Sequence, residues 1–146
     1  MSKSNAHELA YLLLLFNNTA FANVGNAGGL LPSTVAGNFY LSLHTADPGE
    51  AGDQTTSETA YSGYARLAIV RSAGGFTVSA ATVALAVAQV FAEAAAADGT
   101  PLTHWGLGTA SSGAGVLLHS GSLGTAVTIL EGTRVEIDIG TIVTED

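Results

Sequence analysis

Residues 39–44 read FYLSLH, and large apolar side chains alternate there with more polar ones. Phe39, Leu41 and Leu43 would share one face of a β-strand, because successive side chains of a strand point to opposite faces. The preceding stretch, residues 23–38, is rich in Gly, Asn and Ser and is typical of a linker or extended arm. FYLSLH therefore marks the start of a β-rich region.

Further strands are predicted where apolar runs are separated by glycine turns. The second covers residues 64–71 and ends at the Gly74-Gly75 turn. The others are predicted within residues 76–92, and at 102–109, 115–120, 125–130 and 134–140. Short strands at close spacing predict a mainly β fold, an antiparallel β-sandwich or barrel with an N-terminal α-helix and a Gly-rich arm.

The N-terminal helix is predicted over residues 5 to about 20. Asn5 can cap it, with Glu8 three residues later, as in a capping box. Apolar residues recur at helical spacing and make a wide apolar face. They are Leu9, Leu12, Leu13, Phe16 and Ala20. Two arrangements fit such a face: a core helix under the sheet, or a helix packed on another subunit.

The composition changes sharply near Gly37, from a helix and a Gly-rich arm to alternating strands. Few contacts are expected to cross such a boundary. The sequence therefore predicts a docking element at residues 1–36 and a β domain at 37–146. On this hypothesis the chain self-associates, and the apolar helix residues form an interface. The predicted interface residues are Leu9, Leu12, Leu13 and Phe16.

Charge and composition exclude several classes of partner. The 146 residues include 4 Lys and Arg against 12 Asp and Glu, a formal net charge of −8. Phosphate binding needs clustered basic residues, so neither direct nucleic-acid binding nor an anionic membrane surface is expected. The apolar run of the helix is too short to span a bilayer. Because Cys is absent, disulfides and thiol chemistry are excluded.

Residues 44–62 are predicted to form a long polar loop between two antiparallel strands. Asp47, Glu50 and Asp53 recur at every third position there, and calcium binds oxygen ligands from such loops. The spacing does not match an EF-hand, so a solvated acidic loop is the main interpretation and a calcium site is a weak candidate. No metal or cofactor is expected.

No catalytic constellation is recognisable in the chain. The histidines, His7, His44, His104 and His119, show no metal-ligand spacing. The glycine-rich stretch GLGTASSGAG at residues 106–115 has neither a following Lys nor a surrounding βαβ unit, so a hairpin turn is predicted rather than a phosphate loop. The chain is therefore predicted not to be an enzyme.

Three stretches carry a resemblance to a known family. They are NFYLSLHTADPGEAGDQTTSETAYSGYARLAIVRSAGGF (38–76), LTHWGLGTASSGAGVLLHSGSL (102–123) and the ending GTIVTED. In these the chain resembles a family of small tailed-bacteriophage virion proteins, variously labelled tail-fibre, minor capsid or capsid decoration proteins. The pairing of LSLHTADPG with YSGYAR is the most specific part of the resemblance.

The resemblance implies a non-enzymatic virion structural protein. The main interpretation is a capsid decoration (cement) protein that stabilises the head from the outer capsid surface. The alternatives are a tail or tail-fibre attachment subunit and, third, a carbohydrate-binding module at the tail tip, which an exposed aromatic cleft around Trp105 would favour. The implied partners are further copies of the chain, in a homotrimer, and the major capsid protein or another virion subunit. Tyr61 and Tyr64 would pin the end of the long loop to a neighbour.

Overall fold

The computed structural model describes residues 2–145 and is mainly β, with 34% of residues in strands and 9% in helix. This confirms the predicted antiparallel β fold with one N-terminal helix, and the described strands do not close a barrel. The elements are α1 (Asn5–Asn17), β1 (Asn38–His44), β2 (Leu67–Val70), β3 (Phe76–Ser79), β4 (Thr82–Leu85), β5 (Gln89–Val90), β6 (Pro101–Gly108), β7 (Leu117–Thr128), β8 (Glu136–Ile137) and β9 (Thr141–Thr144).

The chain divides into two compact units, each built from segments distant in sequence. The helical unit comprises Met1–Asn38, Ile69–Ala88 and Asp138–Asp146, and the sheet unit comprises Phe39–Ala68 and Gln89–Ile137. Residues 69–88 and 138–146 thus group with the N-terminal segment rather than with the strands around β1. Whether residues 1–36 can be removed without unfolding the remainder stays a prediction.

The N-cap of helix α1 lies one residue before the predicted cap. Ser4 is the N-cap, and its hydroxyl accepts from the backbone N–H of His7 at 3.3 Å. Asn5, the predicted cap, is instead the first helical residue. The helix ends at Asn17, before the expected residue 20, because Asn18 turns into the left-handed region with φ 52°.

One face of α1 covers the three-stranded sheet of order β3-β4-β9 within the helical unit. Leu12 and Phe16 are fully buried, and the Phe16 ring meets Phe76 of β3 edge to face at 5.1 Å. Val83 and Leu85 of β4 are also fully buried. Of the two arrangements left open by the sequence, the structure contains the helix packed on a sheet of its own chain.

Arg71 fixes the end of the helix to the arm that follows it. Its guanidinium donates to the carbonyls of Leu14 and Leu15 at 2.9 and 2.6 Å, and to that of Ala36 at 3.1 Å. Cationic groups are favoured at a helix C-terminus because the last carbonyls there lack helical partners. The arm is also bonded to the C-cap of the helix, because the Asn18 side chain donates to the carbonyl of Ser33 and accepts from its N–H. It is therefore folded rather than extended.

The sheet unit is built on β1, β6 and β7, which pair antiparallel in that order. β1 and β6 pair Leu41 with Leu107 and Leu43 with Trp105. Two of the predicted strands, 115–120 and 125–130, form the single strand β7. The register with β6 shifts within β7, because His104 pairs with Ser122 whereas Leu102 pairs with Val127. The intervening residues bulge outward around Gly124, which has φ 76°.

The predicted strand at residues 134–140 is wrong in extent. Only Glu136–Ile137 is a strand, paired with the two residues of β5. The alternation continues beyond it, but the Asp138 side chain accepts from the N–H of Ile139 at 2.7 Å and a bend follows. The chain passes from the sheet unit to the helical unit at this point. Strand β9, which follows the bend, was not predicted.

Candidate functional site

One face of β6 carries glycines where the long loop packs. Gly106 stands opposite Ser42 and Gly108 opposite Tyr40. A Cβ added to Gly106 would lie 2.5 Å from Nε2 of His44 and 2.8 Å from Oγ of Ser42. A Cβ added to Gly108 would collide with Gln54. The two glycines therefore leave the space that buried polar side chains occupy.

His44 joins the long loop to the sheet. It is fully buried, with Nδ1 at 2.9 Å from the carbonyl oxygen of Thr56 and Nε2 at 2.8 Å from Oγ of Ser42. A carbonyl only accepts, so Nδ1 carries the proton and Nε2 of the neutral ring accepts from Ser42. Burial lowers the pKa of His44, because the imidazolium would lose its hydration, and this outweighs the hydrogen bond to Thr56.

A buried ion pair closes the other end of the loop. Arg66 donates to both carboxylate oxygens of Glu58, at 2.6 and 2.7 Å, and its side chain is 3% exposed. The Glu58 carboxylate raises the pKa of Arg66. The hydroxyl of Tyr64 also donates to Glu58, at 2.8 Å, and accepts from the N–H of Leu43. Burial raises the pKa of Tyr64.

The same arginine holds a second segment, the serine hairpin, defined here as residues 109–116. Arg66 donates to the carbonyls of Ala110 and Gly113, both at 2.8 Å. Gln54 is fully buried, and its side-chain oxygen accepts from the N–H of Ala110 at 2.8 Å. The backbone N–H of Gln54 donates to the carbonyl of Ala114. The base of the serine hairpin is therefore fixed to the long loop from two sides.

The serine hairpin fixed by these contacts exposes its tip to solvent. Ser111 and Ser112 are exposed at the tip of the serine hairpin. A shallow depression of about 420 Å³ lies between the tip and the end of the long loop. Its walls include Thr59, whose buried hydroxyl has no hydrogen-bond partner among the described residues. The arrangement offers a rigid surface with exposed hydroxyls and carbonyls.

The two predicted interface tyrosines support this surface from within. Tyr61 is 4% exposed and donates to the carbonyl of Ala92 at 3.1 Å. Tyr64 is half-buried, and its ring stacks on Phe91 with centroids 6.0 Å apart. Both pin the loop to its own unit, while a contact with a neighbouring subunit stays a prediction.

The three acidic residues of the loop, Asp47, Glu50 and Asp53, do not form a group of metal ligands within the described residues. Asp53 accepts from the N–H and the hydroxyl of Thr55 at 2.8 and 2.6 Å, and these bonds lower the pKa of Asp53. Asp47 accepts from the N–H of Gly49. Asp47 and Glu50 line a second depression, of about 480 Å³, beside residues 117–120. Within residues 2–145 no three potential metal ligands come together.

The predicted interface residues of α1 differ in their exposure to solvent. Leu12 and Phe16 are fully buried in the helical unit, and Leu13 is half-buried. Leu9 is 36% exposed and is the one of these four that offers substantial surface. An interface role for these residues stays a prediction, since Leu12 and Phe16 are already covered by their own chain.

Sequence reasoning missed the residues that hold the site together. Gln54 and Glu58 lie in a loop without periodicity, and Arg66 falls in the predicted strand at residues 64–71, so no spacing rule links them. The one available signal was the Arg66 of YSGYAR, a basic residue in an acidic, base-poor chain. Trp105 is 8% exposed, its ring over Gly121, so the exposed aromatic cleft expected of a carbohydrate-binding module is absent at that residue.

Two comparisons with known proteins bear on the function. A family model described as podophage GP4 fiber I protein gp80 matches residues 2–145, nearly the whole chain. A search of curated proteins found no match. No helix within residues 2–145 is long and apolar enough to cross a membrane.

Proposed function

Because the chain belongs to the Gp80 family of podophage GP4 fiber I proteins, we propose that it is a structural subunit of a bacteriophage tail fibre. Membership of this family supports a phage structural role. The observation that carries the proposal is the extent of the match, which covers residues 2–145. The tail-fibre alternative of the sequence analysis fits it better than capsid decoration, which the match does not confirm.

The geometry of the sheet unit is suited to recognition through rigid segments. Arg66 and Gln54 fix the serine hairpin, so its tip can contact a partner at a small cost in loop ordering. The proposal therefore includes a non-enzymatic role, a virion location on the tail, and partners among further copies of the chain and other virion subunits.

The test is to locate the protein on the particle. The chain has no Cys, so phage carrying Ser112→Cys gain one exposed thiol for each copy, which maleimide-linked gold can mark in electron micrographs. Wild-type particles treated in the same way are the control. We expect gold on the tail, in a copy number set by the symmetry of the tail. Gold spread evenly over the head would refute the tail-fibre proposal and restore capsid decoration.

A further inference from the structure

The depression between the end of the long loop and the serine hairpin includes a buried hydroxyl without a partner. Among residues 2–145, two buried side-chain polar atoms lack a hydrogen-bond partner, Nε2 of Gln54 and Oγ1 of Thr59. Thr59 is 4% exposed and lines this depression. Buried polar groups of native proteins almost always have a partner, which a bound water or ligand supplies where the chain does not. The Thr59 hydroxyl therefore marks a position at which a small polar molecule can bind.

The charged side chains of the depression are paired with each other. Arg66 donates to both carboxylate oxygens of Glu58 and to two carbonyls of the serine hairpin, which uses four of its five guanidinium N–H groups. Glu58 accepts a further hydrogen bond from the hydroxyl of Tyr64. An ionic ligand would have to compete with this pair for either charge. The depression is therefore suited to a neutral ligand.

The other polar side chains that line the depression carry hydroxyls. Tyr61 and Tyr64 donate theirs within the sheet unit. Thr59 lies in the wall, and Ser111 and Ser112 are exposed at the tip of the serine hairpin. Because a hydroxyl both donates and accepts, these three groups match a ligand that itself carries several hydroxyls.

We propose that this depression binds a neutral sugar residue. A sugar ring presents neighbouring hydroxyls to Thr59 and the hairpin serines, and its C–H groups can lie against Ala60 and Ala65. The volume of about 420 Å³ falls within the range of about 300–1,000 Å³ that is typical of small-molecule sites. The inference rests on the proposed function, because that function gives the serine hairpin a role in recognition.

The first test is binding of free sugars to the purified full-length chain. Saturation-transfer NMR with glucose, galactose, mannose and N-acetylglucosamine, each at millimolar concentration, detects weak association. We expect at least one of these sugars to bind, and the matching uronic acid to bind more weakly because it adds a charge. Absence of binding across the whole panel would overturn the proposal.

The second test removes the unpaired hydroxyl and keeps the side-chain shape. Thr59→Val should leave the melting temperature unchanged or raise it, because no hydrogen bond within the chain is lost. Affinity for the sugar should fall at least about tenfold, because a ligand hydroxyl loses its partner. Thr125→Val, at an exposed residue outside the depression, is the matched control and should change neither quantity. Unchanged affinity, or a lower melting temperature that shows a bound structural water instead, would overturn the proposal.

A third test uses exposed positions, where substitution leaves the core intact. Ser111→Ala with Ser112→Ala should weaken sugar binding without altering the melting temperature. Affinity equal to that of the unaltered chain would contradict a site at the serine hairpin. All three tests use the purified chain, so gold on the head would refute the tail-fibre proposal and leave sugar binding unaffected. Absence of sugar binding would in turn leave the tail location intact.

Discussion

Helix α1 and the long loop differ in how far their compositions predict their environments. The sequence left open whether α1 packs on its own chain or on another subunit, and Leu12 and Phe16 are fully buried in the helical unit. The loop was expected to be solvated, yet Gln54 is fully buried, and Glu58 pairs with Arg66, whose side chain is 3% exposed. Hydropathy therefore predicted burial in the helix and did not predict it in the loop. In the loop, burial depended on whether the fold supplied a partner for each polar group.

The two regions also depend on different kinds of interaction. Apolar burial is non-directional, so several neighbours could have covered α1. The loop relies on hydrogen bonds of fixed geometry, and a buried charge that loses its partner retains the full cost of desolvation. Substitutions in the loop should therefore cost more, and tolerate less variation, than substitutions on the helix.

The largest effect is expected from breaking the buried ion pair. Arg66→Met would leave Glu58 and the carbonyls of Ala110 and Gly113 without their donor. The free energy of unfolding should fall by about 3–5 kcal/mol, measured by urea denaturation. Arg134→Met is the matched control, because its pair with Glu93 is 60% and 56% exposed, and such a pair contributes about 0–1 kcal/mol. Equal losses in the two variants would refute the structural role assigned to Arg66.

A comparable but more variable loss is expected in the helix. Leu12→Ala should reduce the free energy of unfolding by about 2–5 kcal/mol, because the side chain is fully buried and leaves a cavity. Leu9→Ala, at a residue 36% exposed, should change it by no more than about 0.5 kcal/mol. If Leu12→Ala proves as mild as Leu9→Ala, the helix is dispensable for folding, and the predicted docking element at residues 1–36 regains support.

The parts of the fold that could be predicted are those with a local signal. β1 and β6 follow from alternation and apolar runs, and α1 from helical spacing. The division into two units could not be predicted, because it depends on which distant segments meet. The prediction of a strand at 134–140 was wrong for a related reason. Its apolar alternation is strong, but β5 offers only two residues for it to pair with. Glu58 and Arg66 are eight residues apart, one in an irregular loop and the other in the predicted strand at 64–71, so no period relates them.

A smaller effect, dependent on pH, is expected from His44. Its pKa in the folded chain lies below the ordinary value of about 6.5, so the unfolded chain binds the proton more readily. Stability should therefore fall as the pH drops below about 6.5, with a slope of at most about 1.4 kcal/mol per pH unit from this one group. Unfolding titrations between neutral and mildly acidic pH, compared with His44→Gln, would measure it. An unchanged slope in the variant would assign the effect to other groups.

The smallest effect is expected from calcium, which should leave the melting temperature unchanged. Asp53 already accepts two hydrogen bonds from Thr55, and Asp47 accepts one from Gly49. A cation would have to displace these bonds and draw the carboxylates together, whereas a built site presents its oxygens in advance. Melting curves with calcium and with chelator should superimpose. Since a ligand that binds the folded state stabilises it by mass action, a rise in melting temperature with calcium that Glu50→Gln abolishes would establish a site in the long loop.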